Sequence, residues 1–136
     1  MSVFALDSKI MSLYFRGNAE VLINIEKAVK DDHSIIIPPI AYYEVKRSLI
    51  LAGANKQLKI FKTFCTLFPV GELGDYLLDD AIDLYIQERT ANRNTGDADL
   101  LTAAFCMRNN YVLATDDIKR FENINGLFTA DWTKVW

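Results

Sequence analysis

Three short runs of nearly unbroken apolar residues limit what this chain can fold into: VFAL at 3–6, SIII at 34–37 and YVLA at 111–114. Each is rich in aliphatic or aromatic residues and bounded by polar or proline positions, the pattern of a β-strand. A strand with one wet face alternates apolar with polar, whereas a strand covered on both faces has no need to. The runs therefore predict a parallel sheet with helices packed on each side. A further short strand is expected near 68–71.

Between these runs the apolar positions recur with helical spacing, over 8–15, 19–29, 39–51, 55–67, 75–90 and 97–107. In the last of these Leu100, Leu101, Ala104 and Phe105 form a stripe suited to packing. Strand, helix pair, strand, helix pair, short strand, helix pair, strand is the order of an α/β doubly wound domain. At 136 residues, 51% of them hydrophobic, the chain can bury one substantial core, and residues 1–136 read as a single domain. The polar stretch ANRNTG at 91–96 is the most loop-like internal segment and leads straight into a helix.

Charge and cysteine usage exclude several classes. A formal net charge of -3 supplies no global basic field, so a polyanionic partner has to be met by a local patch or a bound cation. Cys65 and Cys106 lie in apolar helical stretches without Cys-x-x-Cys or Cys/His spacing. That argues against zinc and against a redox motif, and for core thiols in a reducing cytoplasm. No stretch reaches ~18 uninterrupted apolar residues and the N-terminal run is too short for a secretory signal, so a soluble cytoplasmic protein without a membrane span is expected. His33, the one histidine, sits in the polar stretch KDDHS and reads as surface.

The residues that carry chemistry are acids. Asp7 follows the first apolar run directly, and Asp116 and Asp117 follow the last run after Thr115. Both places are carboxyl ends of expected parallel strands, the edge at which open α/β sheets bind ligands. Glu44 stands within the apolar IAYYEV, just after the second strand, and Asp97 and Asp99 open the helix before the last strand. Each acid has an ordinary alternative: Asp7 as a helix cap, Asp97 and Asp99 as first-turn acids, Asp116 and Asp117 as turn residues. Taken together, hard oxygen ligands without histidine or cysteine suit Mg²⁺ or Mn²⁺. A divalent ion would relieve their mutual repulsion and turn the cluster into a clamp for a phosphodiester.

These segments resemble a PIN domain, and within that superfamily the VapC ribonuclease toxins of bacterial toxin-antitoxin modules. FALDSKIMSLYF is similar to the family's first strand, acidic turn and helix, and IIIPPIAYYEVKRSL to its strand followed by a glutamate-bearing helix. TGDADLLTAAFCMRNNYVLATDDIKRFENINGLFTADW matches the third and fourth motifs in order and spacing, so the resemblance spans essentially the whole chain. It implies a three-layer PIN-like α/β domain with a central parallel sheet, and metal-dependent cleavage of single-stranded RNA. Asp7, Glu44, Asp99 and Asp117 would be the metal ligands, with Asp97 and Asp116 as secondary candidates and Thr115 and Ser8 hydrogen-bonding within the site. A cognate antitoxin and a homodimer are implied as partners.

Lys9 departs from the pattern, standing where the family usually has asparagine. Pointing inward it could pair with a carboxylate and compete with metal, or hold substrate phosphate; pointing outward it changes nothing. Lys46, Arg47, Arg89, Arg93 and Lys119 could neutralise phosphates, each against a surface-charge alternative, and Tyr42 and Tyr43 could stack a base, with core packing expected of at least one. The segment 48–67 and Phe68 carry Leu49, Ile50, Leu51, Ile60, Phe61 and Phe64, more apolar material than one buried face needs, so an interface and a core role both stay open. Alternatives are an RNA-processing PIN nuclease without an antitoxin and a weakened RNA- or protein-binding module. A haloacid dehalogenase phosphatase would need an aspartate where Lys9 stands.

Overall fold

A computed structural model describes residues 1–136, and its core is a four-stranded parallel sheet. The strands are β1 (Val3–Leu6), β2 (Ser34–Ile36), β3 (Val112–Thr115) and β4 (Phe128–Asp131), in spatial order β2-β1-β3-β4. Six helices join or flank them: α1 (Ser8–Phe15), α2 (Ala19–Lys30), α3 (Pro39–Leu51), α4 (Asn55–Leu67), α5 (Asp75–Thr90) and α6 (Asp97–Asn109). A 3₁₀ turn, Ile118–Phe121, lies between β3 and β4.

Successive strand residues point to opposite faces, and both faces are dry. Phe4 and Leu6 join a core with Ile10, Val21, Phe61 and Trp132, while Ala5 and Leu113 join a second with Leu77, Leu84, Leu100 and Phe105. Two cores separated by one sheet make three layers, as the unbroken apolar runs require. Helix α6 is buried beyond its expected stripe, at Thr102, Ala103 and Cys106 as well, because it lies between α5 and the sheet.

Three elements differ from the sequence expectation. Segment 68–71 contributes a single bridge, Ile37 to Val70, instead of a strand. Pro69 has no N–H to continue a ladder, and only its carbonyl is used, accepting from the Ile37 N–H at 2.8 Å. Gly71 then passes so near Phe105 that a Cβ there would lie 2.3 Å from the ring. β4 is not expected from sequence, since FTAD has neither an apolar run nor a buried end; Phe128 is 60% exposed. It exists because β3 offers a free edge, with which it pairs from Val112↔Phe128 to Thr115↔Asp131. The last apolar run pairs over Val112–Thr115, one residue further along than the run itself, because Tyr111 is still bonded to the end of α6.

Helix boundaries follow local chemistry. Asn18 caps α2 by accepting from the Val21 N–H at 3.0 Å, Pro39 opens α3, and Asn110 ends α6 in the left-handed conformation at φ 57°. Cys106 is buried, and burial followed by the Asp7 charge pushes its thiol up to about 12. Cys65 is half-buried; neither cysteine is in a disulfide. No helix is long and apolar enough to cross a membrane. His33 is tied to the N-terminal strand, its Nδ1 accepting from the Ser2 N–H at 2.9 Å and its ring meeting Phe4 edge-on.

Candidate active site

Parallel strands deliver their ends to one edge, and that edge gathers the acids. Asp7 is the N-cap of α1, 4% exposed, and its backbone N–H still donates to Ala114 across from β3. Its Oδ1 accepts from the Ser8 N–H at 2.8 Å, and its Oδ2 accepts from the Thr115 hydroxyl at 2.9 Å. The Thr115 oxygen in turn accepts from the Asp117 N–H at 3.2 Å, so one buried hydroxyl orders both strand ends. Asp99 comes from the first turn of α6, which has no side-chain cap and presents free N–H groups to anions. Glu44 comes from the second turn of α3, beside the core residues Ala41 and Val45.

The electrostatics of these side chains show that they share one region. Burial raises the Glu44 carboxyl above its ordinary range, and Asp7 and then Asp99 add to the shift against Arg47 and Ser8. Burial likewise raises Asp99; Arg120 opposes this, and the Asp7 and Asp117 charges reinforce it. Asp116 turns one carboxylate oxygen inward, buried and without a hydrogen-bond partner. Asp97 is left out: it is exposed and lies with Leu78, Ile82 and Tyr85 on the α5 side of its helix.

The cation in the cluster is Arg120, which no sequence motif singles out. Its guanidinium donates to Asp7 Oδ2 at 2.6 Å and reaches Asp99 Oδ2 at 3.0 Å. Burial alone would lower its pKa, but Asp7 and Asp99 raise it. The one signal for it is the 3₁₀ turn: at three residues per turn, position 120 comes back over Asp117, whereas Lys119 turns away into solvent. Lys9 is exposed and makes no ion pair, so the inward pairing considered for it does not occur.

The donor types suit a hard divalent ion, being carboxylates only at one edge of the sheet, with a buried Asp116 oxygen lacking a donor. Arg120 holds two of them, and no three acidic, histidine or cysteine side chains close on a single point as ligands.

Other candidates are committed elsewhere. Arg93 and Thr95 bind the buried Glu88, and Arg89 donates to the Arg93 and Thr95 carbonyls, which together shape the loop before α6. Lys46 donates to the Tyr42 hydroxyl at 2.8 Å. Tyr42 packs on Phe61 in the core, while Tyr43 is exposed under Arg47. Of the apolar set on α3 and α4, Phe61 and Phe64 are core, whereas Ile50 and Leu51 are exposed.

No protein-family model and no curated protein matches this sequence. Solved structures do match it over nearly full length. One is a chain of VapBC2 from Rickettsia felis bound to a DNA fragment from its promoter, with TM-score 0.87 and 20% identity, covering 96% of this chain and 98% of that one. Another is a chain of DNA-bound VapBC from Salmonella typhimurium, with TM-score 0.86, 16% identity and coverage of 97% and 99%. A third, from FitAcB of Neisseria gonorrhoeae, has TM-score 0.80, 16% identity and coverage of 95% and 97%. The fold is PIN-like. The narrower resemblance to VapC toxins is corrected by the same matches. They are chains of VapBC and FitAB complexes at low identity, so the PIN-like chain resembles a member of such a complex and not a toxin in particular.

Proposed function

We propose that this chain is a metal-dependent endoribonuclease acting on single-stranded RNA, and that it works with a cognate partner protein in a toxin-antitoxin type pair. The observation that carries the reading is the gathering of Asp7, Glu44 and Asp99 at the carboxyl edge of a parallel sheet, with the exposed Asp117 beside Asp99. Its support for a protein pair is the likeness to chains of VapBC and FitAB complexes. The exposed Ile50 and Leu51 suit a homodimer contact in the same proposal.

Asp7, Glu44, Asp99 and Asp117 would hold Mg²⁺ or Mn²⁺, with Asp116 beside them. An ion held there would supply charge stabilisation for the phosphodiester and lower the pKa of nearby water. The chain's own share is preorganisation. Asp7 is fixed by donors on both oxygens, so it meets a cation without losing rotamer freedom. Burial and the neighbouring Asp7 raise the Glu44 carboxyl, so a cation bound there would relieve the cost of its charge.

A second reading, a module that binds RNA or protein without cutting, is favoured by one observation: Arg120 already neutralises Asp7 and Asp99. The two separate in a cleavage assay on single-stranded and structured RNAs with Mg²⁺ or Mn²⁺. The nuclease reading expects cleavage that falls by at least ~100-fold in folded Asp7→Asn and Asp99→Asn variants. Equal cleavage by wild type and variants would sink the proposed site, and RNA binding without any cleavage would select the second reading.

A further inference from the structure

The chain has six arginines, and four are spent: Arg89 and Arg93 on the loop before α6, Arg108 on Asp80, and Arg120 on Asp7 and Asp99. The two without a hydrogen-bonding or ionic partner, Arg16 and Arg47, line the same cleft. Lys9, also unpaired, lines it too. A protein of net charge -3 thus places three cations that form no salt bridge in one depression of about 450 Å³. Three like charges round one depression make a local positive field that the net charge of the whole chain does not provide.

We infer that this cleft, between α1 and α3, is the site that binds the RNA strand beside the cleaved bond, holding its phosphates through Lys9, Arg16 and Arg47. The inference rests on the nuclease reading and gives that reading a substrate path. Glu44 is the one carboxylate lining the cleft and also a member of the acid cluster, so the two sites are continuous. Both helices start at the sheet's carboxyl edge, and the cleft follows them away from it. Lys9 and Arg16 lie seven residues apart on or at the end of α1, about 10 Å along the axis, which lets them meet different phosphates of one strand. Arg47 faces them from α3 and lies over the exposed Tyr43 ring, 4.7 Å from its centroid. Phe15 and Leu49 supply apolar floor for a base or ribose, and the Ser12 hydroxyl offers hydrogen bonds. Lys9, the residue that breaks the family pattern, thereby becomes a substrate contact and not a rival of the metal.

The test is anisotropy of a fluorescein-labelled twelve-residue oligouridylate with the full-length protein in EDTA, where no cleavage intervenes, followed by cleavage with Mn²⁺. Replacing Lys9, Arg16 and Arg47 together by alanine is expected to weaken binding by on the order of tenfold or more at low salt. It should also reduce the steepness of the log affinity against log salt plot by about 0.7 for each phosphate that the variant no longer neutralises. Lys30→Ala, on α2 outside the cleft, should bind as wild type. Unchanged binding and salt dependence in the triple variant would overturn the cleft even if Mn²⁺-dependent cleavage survives. Cleft-dependent binding with no cleavage in wild type would keep the cleft and reject the nuclease. If polyglutamate of equal charge displaces the oligonucleotide as well as polyuridylate does, the cleft is an acidic-peptide site and the RNA assignment falls.

Discussion

At the scale of single residues the decisive one is Arg120, whose guanidinium lies on Asp7 and Asp99. Without it the two acids, with Glu44 and Asp117 nearby, face one another at close range in a partly dry setting, where repulsion is little screened. A divalent ion seeking the same oxygens has to displace it. Arg120→Ala is therefore expected to lower thermal stability in EDTA and to tighten Mn²⁺ binding. The gain in affinity is roughly ten- to a hundredfold if the two charge-assisted contacts together are worth about 1.5–3 kcal/mol. Calorimetric titration with Mn²⁺ checks this, and an unchanged affinity would show that Arg120 does not compete. The acids themselves are legible in the sequence because Asp7 and Asp117 closely follow apolar strands. Arg120 is not, because its reach depends on a 3₁₀ turn that no local composition announces.

At the scale of elements, the loop that launches α6 decides where Asp99 points. Glu88, 4% exposed on α5, binds Arg93 at 2.6 Å and Thr95 at 2.6 Å. The hydrogen bond from Arg93 lowers its carboxyl below the ordinary range, against the opposing effect of burial and with further help from Thr95. A depressed carboxyl contributes stability that is present above the unfolded-state value and lost as pH falls through the folded-state value. Acid below about pH 4.5 should thus weaken this clamp, and Glu88→Gln should flatten that part of the stability profile while costing about 1–3 kcal/mol at neutral pH. Urea melts of both proteins across about pH 3–7 measure the difference; parallel profiles would remove Glu88 from this role. The sequence shows a polar loop here and offers Arg89 and Arg93 as phosphate contacts. Folding assigns them to the loop because Glu88 is buried and needs partners more than solvent-exposed phosphate contacts do.

At the scale of the whole molecule, the C-terminal residues hold the sheet's far edge to the helical layer. The buried Asn24 on α2 donates to the Trp132 and Lys134 carbonyls at 3.0 and 2.9 Å and accepts from the Trp136 N–H at 3.3 Å. Trp132 is fully buried, and Trp136 stacks on it at an interplanar angle of 11°. Asn24→Ala strands these groups and is expected to cost about 1–3 kcal/mol. A red shift of tryptophan emission at temperatures below the main transition should accompany it, as the tail and β4 loosen first. A single unshifted transition at the wild-type midpoint would show that the tail is held by packing alone.

The sequence by itself determined the layers, since apolar runs this short, without alternation and bounded by polar or proline positions, suit strands dry on both faces, and it determined that acids follow those strands. These are local properties, written within a few residues of each other. Only the tertiary structure decided that β4 pairs on the free edge of β3, that Asp97 turns toward α5 while Asp99 turns inward, and that Arg120, not Lys9, is the cation among the acids. Each of those outcomes depends on what lies opposite in space, through hydrogen bonds and ion pairs between residues as far apart as 7 and 120, and no window of local sequence contains both partners.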